Sequence, residues 1–155
     1  MQDIYLKLMT NKMYHQYFKE YKNDPDLYLD KAQYTDYVYT QEWVYNYIKK
    51  QKNLHRICLA IMLDTQIIGE IKLCDIIKNE SATLSICMKN DNYKNKGYGT
   101  IAEQLVIDYV FNKLNLKTLY ADCIITNTRS QHVLEKGGFK LIKTENNFKY
   151  YKLDK

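Results

Sequence analysis

Hydrophobic positions change their period several times along the chain, and each change marks an element. Ile4-Tyr5-Leu6-Lys7-Leu8 alternates and predicts a strand. Tyr14, Tyr17, Phe18 and Tyr21 then recur at i, i+3, i+4 and i+7, which predicts a helix over 11–23, stopped by Asp24-Pro25-Asp26. After a Tyr- and Asp-rich connection, Thr40-Gln41-Glu42 can cap a second helix that turns Trp43, Tyr47 and Ile48 inward. Apolar runs over 55–63, 67–77 and 82–88, separated by Asp64-Thr65-Gln66 and Lys78-Asn79-Glu80-Ser81, predict three consecutive antiparallel strands.

A polar stretch over 89–96 follows, and Gly97-Tyr98-Gly99 opens a helix. Its apolar residues Ala102, Leu105, Val106, Tyr109 and Val110 occupy one helical face. A strand over 117–126, a short helix over Thr128–Lys136 and two closing strands over 139–142 and 148–153 complete the pattern. Gly137-Gly138 ends the short helix, with a glycine free to take the left-handed cap. The order is strand, two helices, three strands, helix, strand, helix, two strands. No repeat, linker or low-complexity segment interrupts it.

Composition narrows the setting. A chain of 155 residues is the size of one domain, expected over 1–155, and its 46% hydrophobic and 26% charged residues suit a globular fold. No apolar run is long enough to span a membrane. Met1-Gln2-Asp3-Ile4-Tyr5 leads directly into alternation rather than a signal peptide, so the cytoplasm is the expected location. Cys58, Cys74, Cys87 and Cys123 have no metal-ligand spacing and sit in apolar stretches, as small hydrophobes do; no metal is expected. The net charge of +5 suits a phosphorylated ligand as well as nucleic acid. The lysines are dispersed, however, without the block of like charge that a nucleic-acid surface usually shows.

The chemistry concentrates at Lys94-Asn95-Lys96-Gly97-Tyr98-Gly99-Thr100. A helix amino terminus presents unpaired N–H groups and partial positive charge. Glycines let its backbone approach an anion closely, and two lysines stand beside it, an arrangement suited to a pyrophosphate. The dinucleotide fingerprint is matched superficially by Gly97, Gly99 and Ala102, with Asp122 twenty residues later. That motif needs a strand ending directly at the first glycine. Here the polar run intervenes and Asp122 lies within its strand, so the dinucleotide reading fails. The nucleotide-hydrolase loop G-x-x-x-x-G-K-[ST] is absent.

Lys94-x-x-Gly97-x-Gly99 resembles the Q/R-x-x-G-x-G/A motif of the GNAT acetyltransferases. The segment from Asn127-Thr128-Arg129-Ser130 to Glu135-Lys136-Gly137-Gly138-Phe139 is similar to the N-x-x-[SA]…EK-x-GF segment of the same family. Ser130, Leu134 and the Tyr-Val-Phe ending of the long helix resemble the RimJ/RimL branch, which acetylates protein amino termini, polyamines and other amines. The resemblance implies an α/β (α+β) fold with a mixed, mostly antiparallel sheet whose central strand is bulged, splayed and flanked by helices. It also implies acetyl-CoA as cofactor, coenzyme A as product and an N-acetyltransferase that acts by direct attack of a primary amine in a ternary complex. A non-catalytic acyl-CoA-binding module of the same fold is the alternative. GNAT proteins are often homodimers, though the sequence does not fix the oligomeric state.

Carried over, Ile86 and Met88 supply main-chain contacts to the pantetheine arm. Lys94, Lys96, Gly97, Tyr98, Gly99 and Thr100 form the pyrophosphate turn, and Asn127 and Ser130 meet the coenzyme. Lys94 stands where the family has Gln or Arg and lacks the bidentate fork of Arg. Leu134 replaces the Tyr that protonates the departing thiolate in many members, which leaves Ser130 as candidate general acid. Thr83 stands where relatives often carry a Glu base. Glu70, Asp75 and Glu80 are alternatives, and none is singled out. Asp24, Asp26, Asp30, Asp36 and Glu42, interleaved with tyrosines, form an acidic rim that could attract a cationic amine or simply be solvated.

Overall fold

The computed structural model describes residues 3–155; Met1 and Gln2 lie outside them. Seven strands form one sheet in the order β1-β2-β3-β4-β5-β7-β6. They are β1 Ile4–Leu8, β2 Ile57–Leu63, β3 Gln66–Ile77, β4 Ser81–Met88, β5 Thr118–Ile124, β6 Lys140–Glu145 and β7 Phe148–Asp154. Every pairing is antiparallel except β4 with β5. The helices are α1 Asn11–Glu20, α2 Gln41–Asn53, α3 Tyr98–Asp108 and α4 Thr128–Lys136, and α3 runs on into a π-helical turn over Tyr109–Lys113. The order of strands and helices follows the periodicity of the sequence.

Alternation along β2 shows how the sheet acquires two cores. Leu59, Ile61 and Leu63 pack with Ala102 and Val106 of α3, Val110 of the π-helical turn after it and Leu134 of α4. Ala60 and Met62, pointing the other way, pack with Tyr14, Tyr17 and Phe18 of α1 and Val44 and Ile48 of α2. Thus α1 and α2 cover one face, and α3 and α4 the other. The aromatic residues of α1 and α2 form a continuous cluster in which Phe18 meets Trp43 and Tyr47 edge-on at 5.0 and 4.9 Å. Trp43 lies at its rim, 44% exposed, and Val44 takes the interior place expected of Trp43.

Local chemistry sets the ends. Thr10 and Thr40 accept hydrogen bonds from the N–H groups of Met13 and Trp43, capping α1 and α2. The helix predicted over 11–23 stops at Glu20 because Tyr21 is already extended. Of the two glycines after α4, Gly138 takes the left-handed conformation, at φ 97°.

The feature that positions the site is the pairing of β4 with β5. It covers only Ser81–Leu84 against Thr118–Ala121, after which the two strands part. β4 stays bonded to β3 as far as Met88, and β5 stays bonded to β7 as far as Ile124. The expected splay is therefore present. The register irregularity beside it falls in β3, between Cys74 and Ile77, opposite the first residues of β4.

Candidate active site

The opened seam is part of a cavity of about 680 Å³. Ser85–Met88 line it from β4 and Ala121–Ile124 from β5. Gly97, Gly99 and Thr100 of the α3 turn also line it, as do Asn127 and Ser130 at the start of α4. The residues singled out along the sequence thus converge on one space. Of the residues expected to meet the coenzyme, Lys96 and Tyr98 are the two that do not line it; Lys96 is exposed and Tyr98 packs against the main core.

Gly97 is the N-cap of α3 at φ 83° and provides no side-chain cap; the first bond of the helix joins the Ile101 N–H to the Gly97 carbonyl at 3.2 Å. A β-carbon added at Gly97 or Gly99 would meet nothing of the protein within 4 Å. The glycines therefore leave room in front of the amides rather than permit close packing behind them. That is the cradle an anion needs at a helix terminus. These residues fit a coenzyme pyrophosphate.

Lys94 serves a different partner from the one expected. Its ammonium lies 3.0 Å from Asp24 and 2.9 Å from Asp91, and its side chain is almost wholly buried. Arg129, one residue into α4, reaches the same Asp24 oxygen at 2.8 Å. Asp24 thus ties the segment after α1 to both the phosphate turn and α4. Burial alone would raise the Asp24 carboxyl. The Asp26 N–H, Lys94 and Arg129 outweigh it and hold the group below the ordinary carboxylate range.

The acidic rim is largely spoken for. Asp26 faces Lys31 and Arg129, Asp30 accepts the Ala32 N–H, and Asp36 accepts the Tyr34 hydroxyl. Of its five carboxylates only Asp24 lines the cavity. The segment acts mainly on the protein's own structure.

Among the candidate bases, Glu70 is 3% exposed on the α1–α2 face and accepts the hydroxyls of Tyr14 and Tyr47, the latter at 2.7 Å. Burial first, and the Glu70 charge second, keep both phenols protonated far above their ordinary range. Both Glu70 oxygens are engaged and the residue does not line the cavity. Glu80 is exposed in the β3–β4 turn, where its carbonyl receives the N–H groups of Lys117 and Thr118.

Asp75 does line the cavity, in the left-handed conformation at φ 50° within the irregular part of β3. With it is Asp122, which the sequence raised only as part of the rejected dinucleotide fingerprint. Burial and then the Asp75 charge raise the Asp122 carboxyl. Lys72 and Arg56 line the same cavity, so both signs of charge are present. Cys74 pairs with Thr83, so Asp75 lies near the start of β4, whereas the glycine turn follows its end. The cavity therefore runs along the strand for roughly 16 Å at 3.3 Å per residue.

Asn127 is the N-cap of α4, its side-chain oxygen accepting the Ser130 N–H at 3.1 Å. Its amide nitrogen is the atom that can still serve a ligand. Ser130 and Cys123 both line the cavity wall. Leu134, in the position of the missing Tyr, packs into the main core.

Comparison with known proteins agrees with this geometry. Residues 3–140 match the family profile described as the acetyltransferase (GNAT) domain, and the chain belongs to that family. Its cofactor is acetyl-CoA. The chain is 39% identical over 77 residues to the probable N-acetyltransferase YjcK of Bacillus subtilis, which covers 49% of this chain and 42% of that protein. It thus spans less than half the length of this curated relative. Its fold is similar to that of the Campylobacter jejuni N-acetyltransferase PseH in complex with acetyl coenzyme A, at a TM-score of 0.68 and 23% identity, covering 98% and 99% of the two chains. It also resembles RimL, a ribosomal L7/L12 alpha-N-protein acetyltransferase solved with coenzyme A, at a TM-score of 0.78 and 16% identity, covering 97% and 93%. Among the described residues no helix is long and apolar enough to cross a membrane, and no cluster of side chains could hold a metal ion.

Proposed function

We propose that residues 1–155 form one GNAT domain that acetylates a primary amine by direct attack within a ternary complex, in the manner of the RimJ/RimL branch. The observation that carries the reading is the seam between β4 and β5, which opens a cavity with a phosphate-binding turn beyond one end and two carboxylates near the other. Bound acetyl-CoA supplies the acetyl group already activated as a thioester. The backbone amides around Gly97, Gly99 and Thr100 hold the pyrophosphate. The unpaired edge of β4 near Ile86 and Met88 offers main-chain groups to the pantetheine arm, with Asn127 facing it from α4.

Attack requires a neutral amine, so the protein must accept a proton. Asp122, raised by burial and by the Asp75 charge, is the carboxylate at the end of the cavity away from the glycine turn that suits that task. Ser130 remains the candidate donor to the leaving sulfur, in the position the branch uses. Lys72 and Arg56 stand in the same cavity, which favours an acceptor with one amine beside polar or anionic groups over a polyamine.

The test is acetyl-CoA consumption across N-terminal peptides, aminoglycosides, polyamines and amino-sugar amines. The proposal expects turnover on at least one class, and expects Asp122→Asn to lower kcat on that acceptor about a hundredfold with little change in coenzyme affinity. Tight coenzyme binding without turnover on any acceptor would make the chain a non-catalytic acyl-CoA-binding module.

A further inference from the structure

Among the described residues, the buried side-chain oxygens without a hydrogen-bond partner belong to Tyr17, Tyr37 and Glu103. Glu103 stands apart from the two tyrosines. It is fully buried, both of its oxygens are unpaired, and it lines the coenzyme cavity, which neither tyrosine does. It sits on α3 one turn beyond Gly99, so it follows the phosphate turn on the same helix.

The neighbouring helix makes room for it. A β-carbon built at Gly137, the C-cap of α4, would lie 1.8 Å from one Glu103 oxygen and 2.7 Å from its carboxyl carbon. Gly137 has φ −75°, so its backbone alone does not call for glycine. The absence of a side chain there is explained by the carboxyl that occupies the space. Ala102 and Val106, its neighbours on α3, belong to an apolar core in which a Leu at 103 would cost nothing in polar groups. A buried carboxyl left without partners costs free energy comparable to the hydrogen bonds it lacks. Glu103 is thus a polar group held at a cost in the wall of the cavity, with Gly137 leaving room for it.

We propose that Glu103 is a coenzyme-contacting residue, whose unpaired carboxyl oxygens bond the amide and hydroxyl groups of the pantetheine arm between α3 and α4. A neutral carboxyl offers one donor and several acceptor positions, which matches an arm that carries both N–H and C=O groups. Those groups lose water on entering the seam and need partners there. The charged pyrophosphate is left to the helix terminus, where an acid would be unwelcome. This assignment rests on the acetyl-CoA reading of the cavity.

The experiment is calorimetric titration of wild type, Glu103→Gln and Glu103→Leu with coenzyme A, and separately with its phosphoadenosine diphosphate portion, which keeps the phosphates and lacks the arm. Loss of one or two hydrogen bonds in Glu103→Leu is expected to weaken coenzyme A about tenfold to a hundredfold. Its affinity for the armless fragment should stay unchanged. Glu103→Gln, which keeps a donor and an acceptor, should stay within about threefold of wild type. Wild-type affinity in Glu103→Leu would overturn the proposal by making the carboxyl a purely internal group, and equal weakening of coenzyme and fragment would overturn it by showing a disturbed α3. Failure of the wild type to bind coenzyme A would remove the cavity reading itself, and this proposal with it.

Discussion

Glu103 also sets a pH dependence at the scale of one residue. Burial raises its carboxyl from the ordinary 4.5 to about 8 in the folded protein. Between those values the folded state keeps a proton that the unfolded chain has released. Stability therefore falls as pH rises through that window and levels off above it, by roughly 1.4 kcal/mol per pH unit at most. Glu103→Gln removes the linkage. Urea midpoints should agree near pH 4, diverge in favour of the variant up to about pH 8 and stay parallel beyond. A constant difference across the range would show that the group exchanges no proton on unfolding. Little of this is legible in the sequence, where Glu103 is one of several polar positions on an amphipathic helix. Its burial depends on Gly137, thirty-four positions away, and only the packing of α4 on α3 brings the two together.

At the scale of an element, the start of α3 separates the two glycines of the motif, the second of which can be Ala. Gly97 has φ 83°, where a β-carbon costs about 1 to 2 kcal/mol, whereas Gly99 has no such restriction and sits in the first helical turn. Gly97→Ala is expected to lower the melting temperature by several degrees and to weaken coenzyme A about tenfold by disturbing the cradle. Gly99→Ala should raise the melting temperature slightly, since alanine is the better helix former by about 1 kcal/mol, and should keep coenzyme affinity within about threefold, since the motif admits Ala there and a single methyl leaves most of the cradle open. Thermal melts and titrations of the two variants check both statements. The period of α3 and the spacing of its glycines were readable because they depend on neighbours a few residues apart. The direction taken by Lys94, three residues before Gly97, was not. It turns to Asp24 and Asp91, and Asp24 comes from a segment seventy positions earlier.

At the scale of the whole molecule, Asp24 joins three parts of the chain: the end of the α1 region, the phosphate turn and the start of α4. Its removal leaves Lys94 with the exposed Asp91 alone and frees Arg129 from its best partner. Asp24→Asn is expected to destabilise the fold by about 2 kcal/mol at neutral pH. The sign with pH follows from the lowered carboxyl. Its contribution is complete above the ordinary aspartate value of about 3.9 and is lost as pH falls through the lower folded value, so the two proteins should converge in acid. Chemical denaturation at pH 7 and pH 3 measures this, and an undiminished gap at pH 3 would exclude ion pairing as the cause. Coenzyme A at saturating concentration should raise the melting temperature of both proteins, because only the folded state carries the cradle.

The sequence by itself determined the order and type of the elements, the glycine turn at the head of α3, the capping Asn127 and the family they spell. These properties rest on periodicity and on backbone requirements within a few residues, which local composition encodes directly. Tertiary structure alone decided which side chains face the cavity and what each one meets there. It withdrew Glu70 beneath two tyrosines, drew Lys94 into an ion-pair cluster, brought Asp122 beside Asp75 and buried Glu103 against Gly137. The reason is that charge and hydrogen-bond partners are chosen by distance in space. Here that distance is set by the parting of β4 from β5 and by the helices packed over the gap.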